Sequence, residues 1–226
     1  MMNLKQRYAI AGVILLNVVG PFLWFPYKGA IFQTSPAAYW AVVIFSNTLL
    51  PLGGMWILWK IFGVNPKTYS LPVPPVVNRY LVGEAALIAF TIGMVYFPAS
   101  GIARGLLWQY SHPGLKYSDV LAGRSWGELA DIAMSLNAGI FESVIFIGLP
   151  WLLFGEQCRS TISKVIFAVV TSLVFGCCHR GNGLSEVVAV TFFGLVAVAW
   201  FLKLRDLWPV ALGHGLIDIL GPLFYK

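Results

Sequence analysis

Apolar residues run through this chain in seven blocks, about 8 to 25, 37 to 62, 80 to 97, 129 to 154, 162 to 178, 184 to 202 and 207 to 224. Blocks of about 18 or more apolar residues are long enough to cross a hydrocarbon core of about 30 Å. The ten-residue alternation of a membrane barrel is missing, and backbone groups in lipid must pair within their own segment, so the blocks predict helices. The expected fold is all-α: a polytopic membrane protein of about seven transmembrane helices enclosing an intramembrane polar site. Two connections carry their own pattern. "NPKTYSLPVPPVVNR" (65–79) reads as an extended interfacial linker, and 99–128, with its Leu, Trp and Tyr, as a surface-lying or partly re-entrant segment. The first block continues into "GPFLWFP" without a small-residue cleavage site and reads as a first span. There is no internal repeat and no low-complexity tail, so residues 1–226 read as one membrane domain.

Composition narrows the class. At 58% hydrophobic and 11% charged residues, the chain departs from soluble domains, whose charged fraction is about 25%. The net charge of +6 does not imply nucleic acid, because Lys and Arg stand singly at the ends of apolar blocks instead of forming a stripe. The bilayer is the expected partner of those charges. A cytoplasmic N-terminus puts Lys5, Arg7, Lys60, Lys67, Arg79, Arg159, Lys164, Lys203 and Arg205 inside, against Lys28, Arg104, Lys116, Arg124, Arg180 and Lys226 outside. That bias favours the N-inside orientation in a plasma or inner membrane. Cys158, Cys177 and Cys178 show neither metal-site nor disulfide spacing and read as packed or inert thiols.

Ionisable residues inside apolar blocks are costly, so each is a candidate for function or for helix packing. They are Glu84, Asp131, Glu142, His179, His214 and Asp218; Asn17, Asn47 and Asn137 suit hydrogen bonding between helices, and His112 falls in a loop. Glu142 lies mid-block with no basic residue within ten positions, so it needs a partner from another helix. His179 and His214 are placed to serve. His214 and Asp218 are four residues apart and share a helix face, so Asp218 can accept from one ring nitrogen of His214 and fix its tautomer. Simple threading separates His179 and His214 by roughly 10 to 15 Å in depth, which implies that one helix is displaced, broken or shorter than its block.

These residues resemble a known family. "FGCCH" (175–179) fits F-x-x-x-H, "HGLID" (214–218) fits H-x-x-x-N/D, and "FESVIFIGLPWLLFG" (141–155) resembles the E-E-x-x-F-R-G helix of the CAAX prenyl protease and bacteriocin-processing intramembrane endopeptidases. The order agrees, and the resemblance covers about 129–222. It implies that Glu142 and His179 activate a water, that His214 and Asp218 steady the oxyanion, and that the substrate is the C-terminal tail of a membrane-bound or lipid-modified protein or peptide, with no cofactor. An ionised Asp cannot donate to an oxyanion, so Asp218 suits an orienting role through His214. Ser143 stands where the family has a second glutamate and Ile147 where it has arginine.

Other functions are weighed against this one. A zinc-dependent version would use Glu142, His179 and His214 as ligands, but it leaves no separate carboxylate as base. A non-catalytic scaffold or immunity protein would keep the fold and bind a tail, consistent with Ser143 and Ile147. A transporter predicts two related halves, which are absent. A rhomboid-type serine protease needs G-x-S-G, and "FPASG" has Pro98 at the first position. A nucleophile at Cys177 or Cys178 would not share a helix face with His179.

Overall fold

Each apolar block is helical because its backbone amides have no partner in lipid except the preceding turn. The computed structural model describes residues 2–24, 44–65, 79–107, 128–180 and 183–224, with isolated positions 35, 38, 41 and 42. Among these residues the elements are α1 (Leu4–Trp24), α2 (a π-helical turn Phe45–Leu49 leading into Leu50–Lys60), α3 (Arg79–Leu106), α4 (Glu128–Ser143, a π-helical turn Val144–Gly148, then Leu149–Phe154), α5 (Thr161–Cys178), α6 (Leu184–Leu204) and α7 (Trp208–Phe224). Four stretches are long and apolar enough to cross a membrane: Tyr80–Leu106, Ile132–Phe154, Thr161–Cys178 and Leu184–Leu204. A shorter apolar stretch, Trp208–Leu220, lies in α7. The chain is a membrane protein.

The faces of α5 show how lipid inverts the usual helix. Ile162, Val165, Ile166, Val169, Val170, Leu173 and Val174 are exposed, an i, i+3, i+4 stripe that would be a core face in water. Its opposite face buries Phe167, Ser172, Phe175, Gly176 and Cys178. The helix starts sharply because Ser160 and Ser163 cap each other's backbone N–H, each bond 3.1 Å.

Both π-helical turns precede a proline. Leu50 and Leu149 donate their N–H to the carbonyls of Phe45 and Val144, five residues back, and Pro51 and Pro150 follow directly. Proline cannot donate to the carbonyl four residues before it, so the ladder ahead of it pairs in a wider turn. In α4 this turn begins immediately after Glu142 and Ser143.

Packing places the polar residues. The last helix, α7, lies along α3 and α4, while α6 lies along α3 and α5. At one end of the bundle Arg7 pairs with Glu156 at 3.2 Å, and the Arg205 guanidinium sits 4.2 Å from the centre of the Trp151 ring. Arg205 itself adopts a left-handed backbone, φ 59°, to turn the chain from α6 towards α7. At the opposite end of α6, Glu186 accepts from the Tyr96 hydroxyl at 2.7 Å and lies 4.0 Å from Arg104.

Two expectations change. The third block is longer than its pattern suggested: α3 continues through Pro98 to Leu106, and Ser100 and Ala103 beyond the proline still bury one face. Residues 99–107, read as part of a loop, are therefore helix and bend. The rest of that segment (108–127, with His112) and linker residues 66–78 lie outside the described residues. Asn17, expected to bridge helices, donates instead to the Val13 carbonyl of its own turn at 2.8 Å. Asn137 does bridge, reaching Thr48 Oγ1 at 2.8 Å. All three cysteines are free.

Candidate functional site

The site is set by how closely α7 approaches its neighbours. His214 stands between two glycines that face different helices. A Cβ on Gly213 would lie 2.8 Å from Ile88 Cγ2 and 2.9 Å from the Ala85 carbonyl oxygen of α3. A Cβ on Gly215 would lie 3.0 Å from Leu136 Cα of α4. Gly139 of α4 answers it: a Cβ there would be 2.5 Å from both the Ala211 carbonyl oxygen and the Gly215 nitrogen. Small residues at such contacts let backbones approach in lipid, where packing drives association. The result is a His214 ring only 5% exposed, with ring centres of Phe193 at 4.5 Å and Phe175 at 5.9 Å.

Glu142 is three residues beyond Gly139 on α4, and its Oε2 lies 3.5 Å from His214 Nε2. Asp218 Oδ2 lies 3.5 Å from the same nitrogen. Two carboxylates therefore converge on one edge of one imidazole, an arrangement that suits an N–H at Nε2 of His214. The distances are longer than a tight hydrogen bond.

His179 caps the C-terminal end of α5. Its Nδ1 lies 2.9 Å from the Phe175 carbonyl oxygen. A carbonyl only accepts, so Nδ1 carries the proton and a neutral ring presents Nε2 as acceptor. The two histidines thus offer opposite functions: His214 an N–H, His179 a lone pair. The Phe175 ring lies between them, 4.8 Å from the His179 ring centre and 5.9 Å from that of His214. Both histidine rings thus lie beside the one Phe175 ring, while α5 and α7 run unbroken over Thr161–Cys178 and Trp208–Phe224.

A cavity of about 20 Å³, measured over the positions a water's centre can take, adjoins the cluster between α4, α5, α6 and α7. Glu142, Ser143, Ser172, Phe175, Gly194 and His214 are among its walls. Ser143 and Ile147, at the positions of the family's second glutamate and arginine, are buried, 2% and 5% exposed. Both charges are replaced, so neither is left buried without its counterpart.

No group of three or more His, Cys, Asp or Glu side chains among the described residues is placed to hold a metal ion. Of the zinc ligand set Glu142, His179 and His214, Glu142 meets His214 at 3.5 Å, while His179 Nδ1 is engaged with the Phe175 carbonyl oxygen. Of the other candidates, Glu84 lies on an exposed face of α3. The side chains of Asp131 and Asn47 lie outside the described residues. Sequence reasoning passed over Glu186, Tyr96 and Phe193, which link α3 and α6 to the His214 ring through edge-on aromatic contacts, Tyr96 to Phe193 at 6.0 Å. A lone acidic residue opening an apolar block was the available signal for Glu186. Nothing in the pattern marked Tyr96 or Phe193, ordinary aromatics in greasy runs.

Residues 125–220 match the family model described as Rce1-like, Type II CAAX prenyl endopeptidase Rce1-like. No curated protein and no solved structure matches the chain.

Proposed function

Because residues 125–220 belong to the Type II CAAX prenyl endopeptidase Rce1-like family, a family of membrane proteases, we propose that this chain is a glutamate-type intramembrane endopeptidase. It cuts a peptide bond near the C-terminal tail of a membrane-associated or lipid-modified protein or peptide. It lies in the plasma or inner membrane with its N-terminus in the cytoplasm, which the distribution of Lys and Arg supports. The observation that carries the reading is the convergence of Glu142 and Asp218 on His214 Nε2, each at 3.5 Å, beside a cavity with room for a water.

In this reading Glu142 takes a proton from water, assisted by the acceptor nitrogen of His179, and the water oxygen adds to the scissile carbonyl carbon. The oxyanion receives the N–H of His214, whose tautomer Asp218 holds. Collapse breaks the C–N bond, and the proton on Glu142 passes to the leaving amine.

The test is purified protein in lipid nanodiscs with C-terminal tail peptides, prenylated, acylated and unmodified, followed by mass spectrometry. Shortened peptides with a new carboxyl terminus are expected. Peptides that bind and are never cut would instead identify a non-catalytic tail-binding protein.

A further inference from the structure

We infer that Ser143 and Ser172 are positioning residues that hold a water molecule against Glu142, and that this is the water used in hydrolysis. The second clause rests on the protease reading; the first does not. Both serines are almost wholly buried, 2% and 1% exposed, and both line the cavity shared with Glu142 and His214. Among the described residues neither hydroxyl oxygen has a hydrogen-bond partner.

That behaviour is unusual for hydroxyls in apolar helices, which ordinarily bond back to their own preceding turn. Thr171, adjacent to Ser172, does so with the Phe167 carbonyl at 2.8 Å, Thr191 with Val187 at 2.7 Å and Thr91 with Ile88 at 3.0 Å. Ser143 and Ser172 turn away from that option and face one cavity from two helices. Gly194 on α6 makes the space: a Cβ there would lie 3.0 Å from Ser172 Cβ and 3.1 Å from its Oγ.

A buried water requires about 10–15 Å³ of accessible volume and two to four polar partners. The cavity supplies about 20 Å³, and the two hydroxyls and the Glu142 carboxylate, carried by residues of its walls, are the partners assigned to the water. With one hydroxyl accepting a water O–H and the other donating to one lone pair, the second lone pair stays free for attack while Glu142 takes the other proton. Ser143 directly precedes the π-helical turn that starts at Val144.

Two measurements on the full chain in nanodiscs test this. In X-ray radiolytic labelling, a bound water generates hydroxyl radicals that mark its neighbours. Phe146 and Phe175, both walls of the cavity, should be oxidised well above Phe201, which is fully buried. In the double variant Ser143→Ala/Ser172→Ala they should fall to the Phe201 level. Labelling no higher than Phe201 in the wild type, or unchanged in the double variant, overturns the proposal whatever becomes of the protease reading. In tail-peptide cleavage, the double variant should lose about 10- to 100-fold in kcat with KM changed less than about twofold. Its Tm should stay close to wild type, since each hydroxyl bonds the water and no protein group. A double variant that keeps the wild-type kcat while Glu142→Gln loses it rejects the positioning role and leaves the protease reading intact. A lowered Tm with kcat and KM affected together points to a structural role and also rejects it.

Discussion

Replacing Glu142 by Gln is expected to lower kcat for tail-peptide cleavage by about 10³-fold or more, within or beyond the range attributed to a general base. The amide keeps the size and most of the polar contacts of the carboxylate but cannot accept the proton of the attacking water. Peptide affinity and Tm should therefore stay close to wild type. This contrast separates chemistry from folding, because Glu142 is a partner of His214 at 3.5 Å and a merely structural role would show in stability. Cleavage at near wild-type rate by Glu142→Gln, with intact fold, would remove Glu142 from the reaction.

The second large effect concerns a residue with no chemistry. Gly139→Ala should destabilise the protein by about 3 kcal/mol or more, at the upper end of overpacking costs. Alanine is the better helix former by about 1 kcal/mol, yet its Cβ would meet the Ala211 carbonyl oxygen and the Gly215 nitrogen, each at 2.5 Å. Both are backbone atoms of α7, so no rotamer change relieves them, and α7 must move as a body. That motion carries His214 and Asp218 away from Glu142, so activity should fall with stability. Gly83→Ala is the control, because nothing lies within 4 Å of its Cβ and the propensity gain acts alone. Thermal unfolding of both variants in the same detergent checks this; equal Tm values for Gly139→Ala and Gly83→Ala would contradict the packing account.

The helices were legible because apolar blocks of spanning length admit one backbone solution in lipid. Blocks 162–178 and 184–202 match Thr161–Cys178 and Leu184–Leu204 closely. The end of α3 was not legible, since a proline and small residues after it look like a loop until the burial of Ser100 and Ala103 is known. At the site, the i, i+4 spacing of His214 and Asp218 foretold their contact. The meeting of Glu142 with His214 depends on Gly139, Gly213 and Gly215, and a glycine in an apolar run carries no sign of which helix it will face. That Ser143 and Ser172 line one cavity was equally hidden, because it depends on which faces of α4 and α5 meet beside Gly194.

The central claim is that Glu142 activates water instead of attacking the peptide itself. A single turnover of tail peptide in water enriched in heavy oxygen tests it most directly. The account predicts that the new carboxyl group of the product carries the heavy oxygen and that the peptide containing Glu142 carries none. Unlabelled product with heavy oxygen in Glu142 would show a covalent acyl intermediate and contradict it.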